Sequence, residues 1–251
     1  MKSAMHEMNP SVKFILVTVC MFTLAFFFDP WTPFFVWVGV LLIQLLFSRI
    51  EWKRWLLFMI PFFIMAFGYF WTTIVFAEDR SGTVVWTLWN YPVTEVQLHH
   101  ALSLSFRVLA FSGLSLLFAL TTKPVSFILS LMQQMKLSPK IAYSILVGYQ
   151  FLPVLKEEFV QIQQAHRLRG ASKENNVVMR LWNMRKILLP MLAGAVRKSE
   201  RAAFAMEARG FTGEKRKHFY YVVGVGKVDG LMGLLFVILL VASCTSSIWI
   251  G

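Results

Sequence analysis

The chain has 251 residues, of which 57% are hydrophobic, 16% aromatic and 15% charged, and its mean hydropathy is +0.60. Soluble domains are typically about a quarter charged and less than half apolar, so this composition excludes an ordinary soluble domain and predicts an integral membrane protein. The two cysteines, Cys20 and Cys244, lie far apart in separate apolar runs. This placement excludes a disulfide framework and a Cys-based zinc site.

The formal net charge of +12 is confined to one segment of the chain. Residues 121–228 contain 18 Lys and Arg against 6 Asp and Glu, whereas the rest of the chain contains 7 of each sign. Basic segments next to membrane spans face the cytoplasm by the positive-inside rule. We therefore predict that residues 121–228 are cytoplasmic and that anionic lipid contacts their basic surface.

Five apolar runs are long enough to cross a bilayer, which takes ~17–25 residues of helix. In chain order they are residues 12–28, 31–48, 54–77, 101–120 and 231–250. The first run leads into Asp29-Pro30 without a small-residue cleavage site, which argues against a signal peptide. Charges in the loops predict a cytoplasmic N-terminus and an external C-terminus in a plasma membrane.

Between the fourth and fifth runs the sequence changes from apolar to amphipathic. Thr122-Lys123-Pro124 predicts the start of a short surface helix, because proline suits the first turn. The apolar residues of this helix are spaced for one face: Phe127, Ile128, Leu131, Met132 and Met135. Ser138-Pro139 predicts the start of a second helix, which runs to Arg169 and is interrupted by Pro153.

A third helix is predicted at about 187–209, with small residues that favour a close crossing with the second helix. Both long helices end in Ala-x-x-x-Arg-Gly, formed by Ala165, Arg169 and Gly170 in the first copy and by Ala205, Arg209 and Gly210 in the second. For one copy alone, a helix end explains the pattern, since Gly supplies a left-handed residue and Arg suits the negative end of the dipole. Two copies 40 residues apart favour docking of the arginines onto acidic grooves of a partner.

These helix ends, the Thr121-Thr122-Lys123-Pro124 entry and the stretch Phe-Leu-Pro-Val-Leu-Lys-Glu-Glu at 151–158 resemble the transmembrane T component of energy-coupling factor (ECF) transporters. The resemblance implies that two Ala-Arg-Gly motifs on crossed coupling helices insert into grooves of a pair of ATPase subunits. The second motif matches letter for letter as Ala208-Arg209-Gly210, whereas the first has Leu168 in the alanine position. Gln150 also departs from the family, which often has Arg before Phe-x-Pro.

Three further residues are expected to support the structure. Arg107 lies inside the fourth apolar run, where a charge is costly unless it faces protein or snorkels; the family resemblance favours a packed structural role. Pro124 and Pro153 belong to the segments that carry the resemblance, and they are expected to shape the helices that present the coupling motifs.

Several signals of catalysis fail on inspection. Gly224-Val225-Gly226-Lys227 resembles the end of a phosphate-binding loop, but Tyr221 occupies the first glycine position and Val228 the Ser/Thr position. His99-His100 is placed in or beside the external loop and is expected to be solvated. The sequence therefore predicts no catalytic residue, cofactor, metal or nucleic-acid partner.

The sequence thus predicts an all-α integral membrane protein with about five transmembrane helices and two long, crossed coupling helices. Residues 1–120 form four spans, residues 121–229 the cytoplasmic coupling-helix domain, and residues 230–251 the final transmembrane helix. The predicted function is a non-catalytic coupling subunit of an ECF importer. The resemblance implies two cytoplasmic ABC-type ATPase subunits and a small membrane substrate-binding S component as partners, and its overall look favours thiamine or the hydroxymethylpyrimidine precursor of thiamine as cargo.

Two alternatives stay open at this point. An ordinary ABC permease would carry the substrate itself and would be expected to show a Glu-Ala-Ala loop with a following Gly, which the sequence lacks. An intramembrane enzyme would use Arg107 and the His99-His100 pair as its polar centre, but these residues supply neither a nucleophile nor a metal set.

Overall fold

The computed structural model describes residues 4–27, 29–48, 51–76, 84–88, 91–168, 177–214 and 219–250. Its elements in chain order are α1 (Ala4–Glu7), α2 (Pro10–Phe26), α3 (Trp31–Phe47), α4 (Trp52–Phe76), β1 (Val84–Leu88), β2 (Tyr91–Thr94), α5 (Glu95–Thr121), α6 (Pro124–Gln134), α7 (Pro139–Leu168), α8 (Val177–Ala208) and α9 (Lys227–Ile250). The predicted all-α membrane fold is confirmed, with a small antiparallel β1–β2 hairpin added to it.

The chain divides into two compact units. The first unit comprises Met1–Ser130 and Val223–Gly251, and the second comprises Leu131–Val222. The three-part division expected from the sequence concerns the membrane and cytoplasmic regions of the chain, and it stays a prediction.

The core of the first unit lies between α2, α3, α5 and α9. Leu24, Val40, Leu114 and Phe236 are almost completely buried in this cluster. A Cβ atom on Gly39 would overlap the Leu239 side chain, so the absence of a side chain lets α3 and α9 approach closely. Small residues at such contacts are typical of helix packing in membranes, where the backbones approach for van der Waals contact.

Helices α4, α5 and α9 are long and apolar enough to cross a membrane by length and composition. Helices α2 and α3 are apolar but have 17 residues each, so their full crossing stays a prediction. Helix α4 buries few side chains and leaves large apolar ones exposed, including Leu57 at 64%, Ile64 at 67% and Phe67 at 66%. Within this unit, that outward face is suited to lipid or to another membrane subunit.

The fourth apolar helix starts earlier than predicted. It begins at Glu95 rather than at residue 101, because the backbone N–H of Thr94 donates to Gln97 Oε1 at 3.2 Å and so forms part of a helix start. His99 and His100 therefore lie on α5, both exposed to solvent, and not in the loop before it.

Two expectations about the long helices of the second unit are wrong. Helix α7 is continuous through Pro153 and spans 30 residues. Helix α8 begins at Val177, ten residues before the predicted start, and Pro190 lies inside it. The missing N–H of a proline removes one helical hydrogen bond, and in both cases the helix continues on either side of that position.

Candidate coupling site

The second Ala-Arg-Gly motif ends α8 with a defined hydrogen-bond pattern. Gly210 has φ +79°, its N–H donates to Glu207 O at 2.9 Å, and the Phe211 N–H donates to Met206 O at 3.0 Å. These two bonds are those of a Schellman motif, in which a left-handed residue closes the helix. The glycine of the motif is therefore explained by backbone geometry alone.

The arginine of this motif is presented to solvent. Arg209 is the last residue before Gly210, and Ala205, Ala208 and Arg209 are all exposed. The chain after the motif then packs on the start of α7, where the rings of Phe211 and Tyr143 lie 5.3 Å apart edge to face. The packing of Phe211, two residues further on, fixes the position of the backbone at Arg209. The exposed guanidinium therefore extends from a defined point of the chain.

The first motif is described only in part. Ala165 is exposed near the end of α7, and Leu168, the last residue of that helix, is 90% exposed. Arg169 and Gly170 lie outside the described residues. Because Leu168 is a large apolar side chain that the rest of the chain leaves uncovered, this end of α7 is a candidate contact surface.

Helices α7 and α8 contact each other near their midpoints. Lys198 Nζ lies 2.6 Å from Glu158 Oε2 in an ion pair whose side chains are partly exposed. Gly194 is buried one turn earlier on α8, where an added Cβ atom would lie 2.7 Å from Glu158 Oε1. Among the small residues predicted to line this crossing, Gly194 is therefore the one at which α7 approaches α8 closely.

The two motif ends point in opposite directions within the second unit. The Tyr143–Phe211 contact places the end of α8 beside the start of α7, so the end of α7 lies on the far side of the Glu158–Lys198 contact. Leu168 is ten residues beyond Glu158, and Arg209 is eleven residues beyond Lys198. At about 1.5 Å per residue, the two ends are on the order of 30 Å apart.

The expected structural residues have separate locations. Pro124 is the first residue of α6 and is exposed, whereas Pro153 is an exposed residue inside α7. Arg107 is half-buried on α5 and donates a hydrogen bond from Nη2 to the carbonyl oxygen of Phe27, just after α2. Helix C-termini leave carbonyls without intrahelical partners, so this contact gives Arg107 a packed position within the first unit.

A buried polar cluster at the start of α2 was missed in the sequence. Asn9, Ser11, Ser130 and Asp229, here called the Asn9 cluster, are each at most 4% exposed. Two signals could have revealed it: Asn-Pro is a strong helix-start pair, and Asp229 lies in the first turn of α9, where an acid suits the dipole. Neither signal shows from sequence that the two helix starts meet.

His6, three residues before Asn9, is partly shielded from water and lies near two lysines. Burial, and then the charges of Lys13 and Lys123, lower the pKa of His6 below its ordinary value of 6.5. His6 lies on α1, ahead of the first apolar helix. A neutral imidazole is therefore favoured there at neutral pH.

The phosphate-loop resemblance has a structural explanation. The Gly226 N–H donates to Asp229 Oδ2 at 2.7 Å, and the Gly224 carbonyl accepts from Asn9 Nδ2 at 3.1 Å. A backbone amide that is already bonded to a carboxylate is not available to hold a phosphate oxygen. Among the described residues there is no group of three or more His, Cys, Asp or Glu arranged to hold a metal ion.

Comparison with known proteins gives one consistent result. A profile of the CbiQ family, described as cobalt transport protein, matches residues 1–220. The energy-coupling factor transporter transmembrane protein EcfT of Brevibacillus brevis is 26% identical over 259 residues, covering 96% of this chain and 92% of that relative. The EcfT protein of Acidaminococcus fermentans is 25% identical over 247 residues, covering 95% and 91%. The Streptococcus thermophilus EcfT protein is 28% identical over 154 residues, and there the match spans 58% of either chain.

The fold and the comparisons together define a membrane component of a transporter. The chain belongs to the CbiQ cobalt transport protein family, and its resemblance to the T component of ECF transporters is confirmed.

Proposed function

We propose that this chain is the coupling subunit of an ECF importer, and that α7 and α8 transmit movement from two ATPase subunits to a membrane substrate-binding subunit. The observation that carries the proposal is the pair of exposed motif ends, on the order of 30 Å apart on two helices that contact each other at Glu158 and Lys198. Two separate ends facing opposite ways suit a pair of partner subunits better than a single one.

The chemistry of the ends supports docking to an acidic groove. The Arg209 guanidinium is permanently charged, planar and exposed at the end of a closed helix, so it can bond a carboxylate and a carbonyl at once. We propose the same role for Arg169, with Ala165 and Gly170 completing its motif, and for Ala205, Ala208 and Gly210 around Arg209. The chain itself would carry out no bond chemistry.

The outward face of α4 supports a place for the third subunit. Gly68 has open space around its Cα, and Tyr69 and Trp71 beside it are 45% and 50% exposed. A small residue allows close helix approach in a membrane, and the aromatic rings beside it offer apolar contact area. We propose that an S component contacts this face, that the N-terminus is cytoplasmic, and that thiamine and its hydroxymethylpyrimidine precursor are the first cargoes to test.

Co-purification from the native membrane tests the proposal. A tagged chain is expected to recover two ABC-type ATPase subunits and one further small membrane protein. Recovery of an ATPase without a third membrane subunit would favour an ordinary permease, and recovery of neither would favour an enzyme.

Arginine variants test the docking motif directly. If Arg209 is buried against an acidic partner groove, Arg209→Ala is expected to cost about 2–5 kcal/mol of binding, which corresponds to a loss of ATPase affinity of roughly thirtyfold or more. The matched control is Arg201→Ala, which removes an exposed arginine two turns earlier on the same helix. Arg169→Ala is expected to weaken binding less, because its motif is incomplete, and Arg209→Lys to restore it only in part. Normal ATPase recovery by an Arg169→Ala/Arg209→Ala double variant would contradict the docking role. Both arginines would then serve only to stabilise the ends of their helices.

A further inference from the structure

Asn9, through its side chain and its backbone N–H, joins four parts of the first unit. Asn9 Oδ1 accepts from the Ser11 N–H at 3.0 Å and from Ser130 Oγ at 2.7 Å. Asn9 Nδ2 donates to the Gly224 carbonyl at 3.1 Å, and the Asn9 N–H donates to Asp229 Oδ1 at 2.6 Å. A single residue therefore bonds to its own helix α2, to α6, to the segment before α9 and to α9.

The cluster is closed and satisfied. Ser11 Oγ and Ser130 Oγ lie 2.5 Å apart, and the Ser11 N–H also contacts Ser130 Oγ at 3.1 Å. Asp229 Oδ2 accepts from the Gly226 N–H, so one carboxylate serves the N-terminal ends of both α2 and α9. Buried polar networks in which every member is bonded are rigid, because breaking one bond leaves a buried polar group unsatisfied.

The Asn9 cluster lies close in sequence to both places where the chain passes between the two units. The chain leaves the first unit after Ser130 and re-enters it at Val223. Ser130 of the cluster and Gly224 lie beside these two connections, and both bond to the same Asn9 amide. The first-unit residues that flank the two connections are therefore bonded to one side chain at the start of α2.

Lys13, one turn further along α2, makes additional buried hydrogen bonds to neighbouring elements. Its side chain is 1% exposed, and Nζ donates to Met5 O at 2.6 Å and to Thr121 Oγ1 at 3.0 Å. Thr121 is the last residue of α5, so this contact holds α1 and the end of α5 beside the same cluster. The N-terminal segment thereby binds α5, α6 and α9 near the points where the second unit begins and ends.

We propose that Asn9 is a positioning residue of the transporter, which holds both chain connections of the second unit fixed so that movement of α7 and α8 is passed to the membrane helices. This role rests on the proposed coupling function. The attachment itself, here called the fixed point, requires only that Ser130 and Gly224 both bond to the Asn9 side chain. Its rigidity is measurable in the absence of any ATPase or cargo.

The first arm of the test measures how tightly the connections are held. Spin labels on Met135→Cys and Val222→Cys, each paired with Val19→Cys, report the distance from α2 to the two connections by double electron–electron resonance; all three sites are 49–70% exposed. The full chain is placed in nanodiscs with Cys244→Ala. Cys20 is fully buried and is left in place.

Asn9→Ser retains a capping oxygen for α2 but removes the amide donor to Gly224. It is expected to broaden both distance distributions at least twofold. Ser130→Ala is expected to broaden only the Met135 distance, and Ser126→Ala on the same helix is the matched control and is expected to change neither. Unchanged widths in both Asn9→Ser and Ser130→Ala, at wild-type expression, would overturn the proposal.

The second arm asks whether the fixed point must open during function. A disulfide between Ser11→Cys and Ser130→Cys replaces the 2.5 Å Oγ–Oγ contact. In the complex with its ATPase subunits, this bond is expected to leave the nucleotide-dependent change in label distance intact, and loss of that change only in the oxidised form would overturn the anchor role. If wild type shows no nucleotide-dependent change, the coupling function fails, while the widths of the first arm still decide whether Asn9 fixes the connections.

Discussion

The contact between α7 and α8 at Gly194 allows a quantitative prediction. Replacing an interior helical glycine by alanine normally stabilises a helix by about 0.5–1 kcal/mol. At Gly194 the new Cβ atom would lie 2.7 Å from Glu158 Oε1, so the carboxylate must move. That movement weakens its 2.6 Å ion pair with Lys198, and a partly exposed pair contributes about 0.2–1 kcal/mol. The two effects are of similar size and opposite sign, so we expect Gly194→Ala to change local stability by less than about 0.5 kcal/mol.

Gly148 is the matched control for this prediction. It is an exposed glycine inside α7 with no atom within 4 Å of an added Cβ, so Gly148→Ala is expected to give the full gain of about 0.5–1 kcal/mol. In a Glu158→Ala background the collision and the ion pair are both absent. There Gly194→Ala is expected to give the same gain as Gly148→Ala, and the difference between the two backgrounds measures the coupling of the two positions.

Amide hydrogen exchange on the full chain in nanodiscs measures these effects, because the protection of α7 and α8 amides reports the free energy of local opening. The assay compares wild type, the three single variants and the Gly194→Ala/Glu158→Ala double variant. A full gain from Gly194→Ala while Glu158 is present would refute the close approach of the two helices at this point.

Four further outcomes are expected. Gly210→Ala places a side chain at φ +79° and is expected to destabilise the end of α8 by ~1–2 kcal/mol, seen as faster exchange of the last-turn amides. Arg107→Leu leaves the Phe27 carbonyl without this donor and is expected to cost ~1–3 kcal/mol, seen as a lower melting temperature than that of Arg107→Lys. Because the fold lowers the pKa of His6, its neutral form contributes stability above pH 6.5 that is lost as the pH falls below that value; a His6→Gln variant should abolish this part of the pH dependence of melting. A reporter that is active only in the cytoplasm is expected to be silent when fused after Gly251, and activity there would reverse the predicted topology.

Much of the membrane fold could be predicted because apolar length is a strong signal in lipid. The runs at 31–48 and 54–77 agree with α3 and α4 to within a few residues, since a bilayer demands long uninterrupted apolar helices. The start of α5 was misplaced because Glu95 and the two histidines lower the local hydropathy, although they continue the helix. The β1–β2 hairpin was missed because it lies in a loop that was interpreted from its charges alone.

The long helices show where local rules failed. Pro153 was predicted to interrupt α7, and α8 was predicted to begin at about residue 187, whereas Pro153 and Pro190 both lie within continuous helices. The end of α8 was predictable, because Gly210 is the left-handed residue that a Schellman motif needs. The docking role of the exposed Arg209 stays a prediction, since exposure of a side chain is the same for a helix-end residue and for one that awaits a partner.

The Asn9 cluster was beyond prediction for a different reason. Its members are separated by up to 220 residues, and each has an ordinary local explanation as a helix cap, a surface serine or a first-turn acid. Only the packing of α2, α6 and α9 brings them together. Long-range polar contacts of this kind leave no periodic pattern in one sequence.

The bond between Asn9 and Asp229 also bears on how the protein is made. The acceptor of the Asn9 N–H lies in α9, and the ribosome adds this residue 220 positions after Asn9. At about 5–20 residues per second, the ribosome needs on the order of 10–40 s to add that stretch of chain. During that interval the Asn9 N–H at the start of α2 lacks the carboxylate that accepts from it in the folded protein. The hydrogen bond between the Asn9 N–H and the Asp229 carboxylate can therefore form only after residue 229 has been added to the chain.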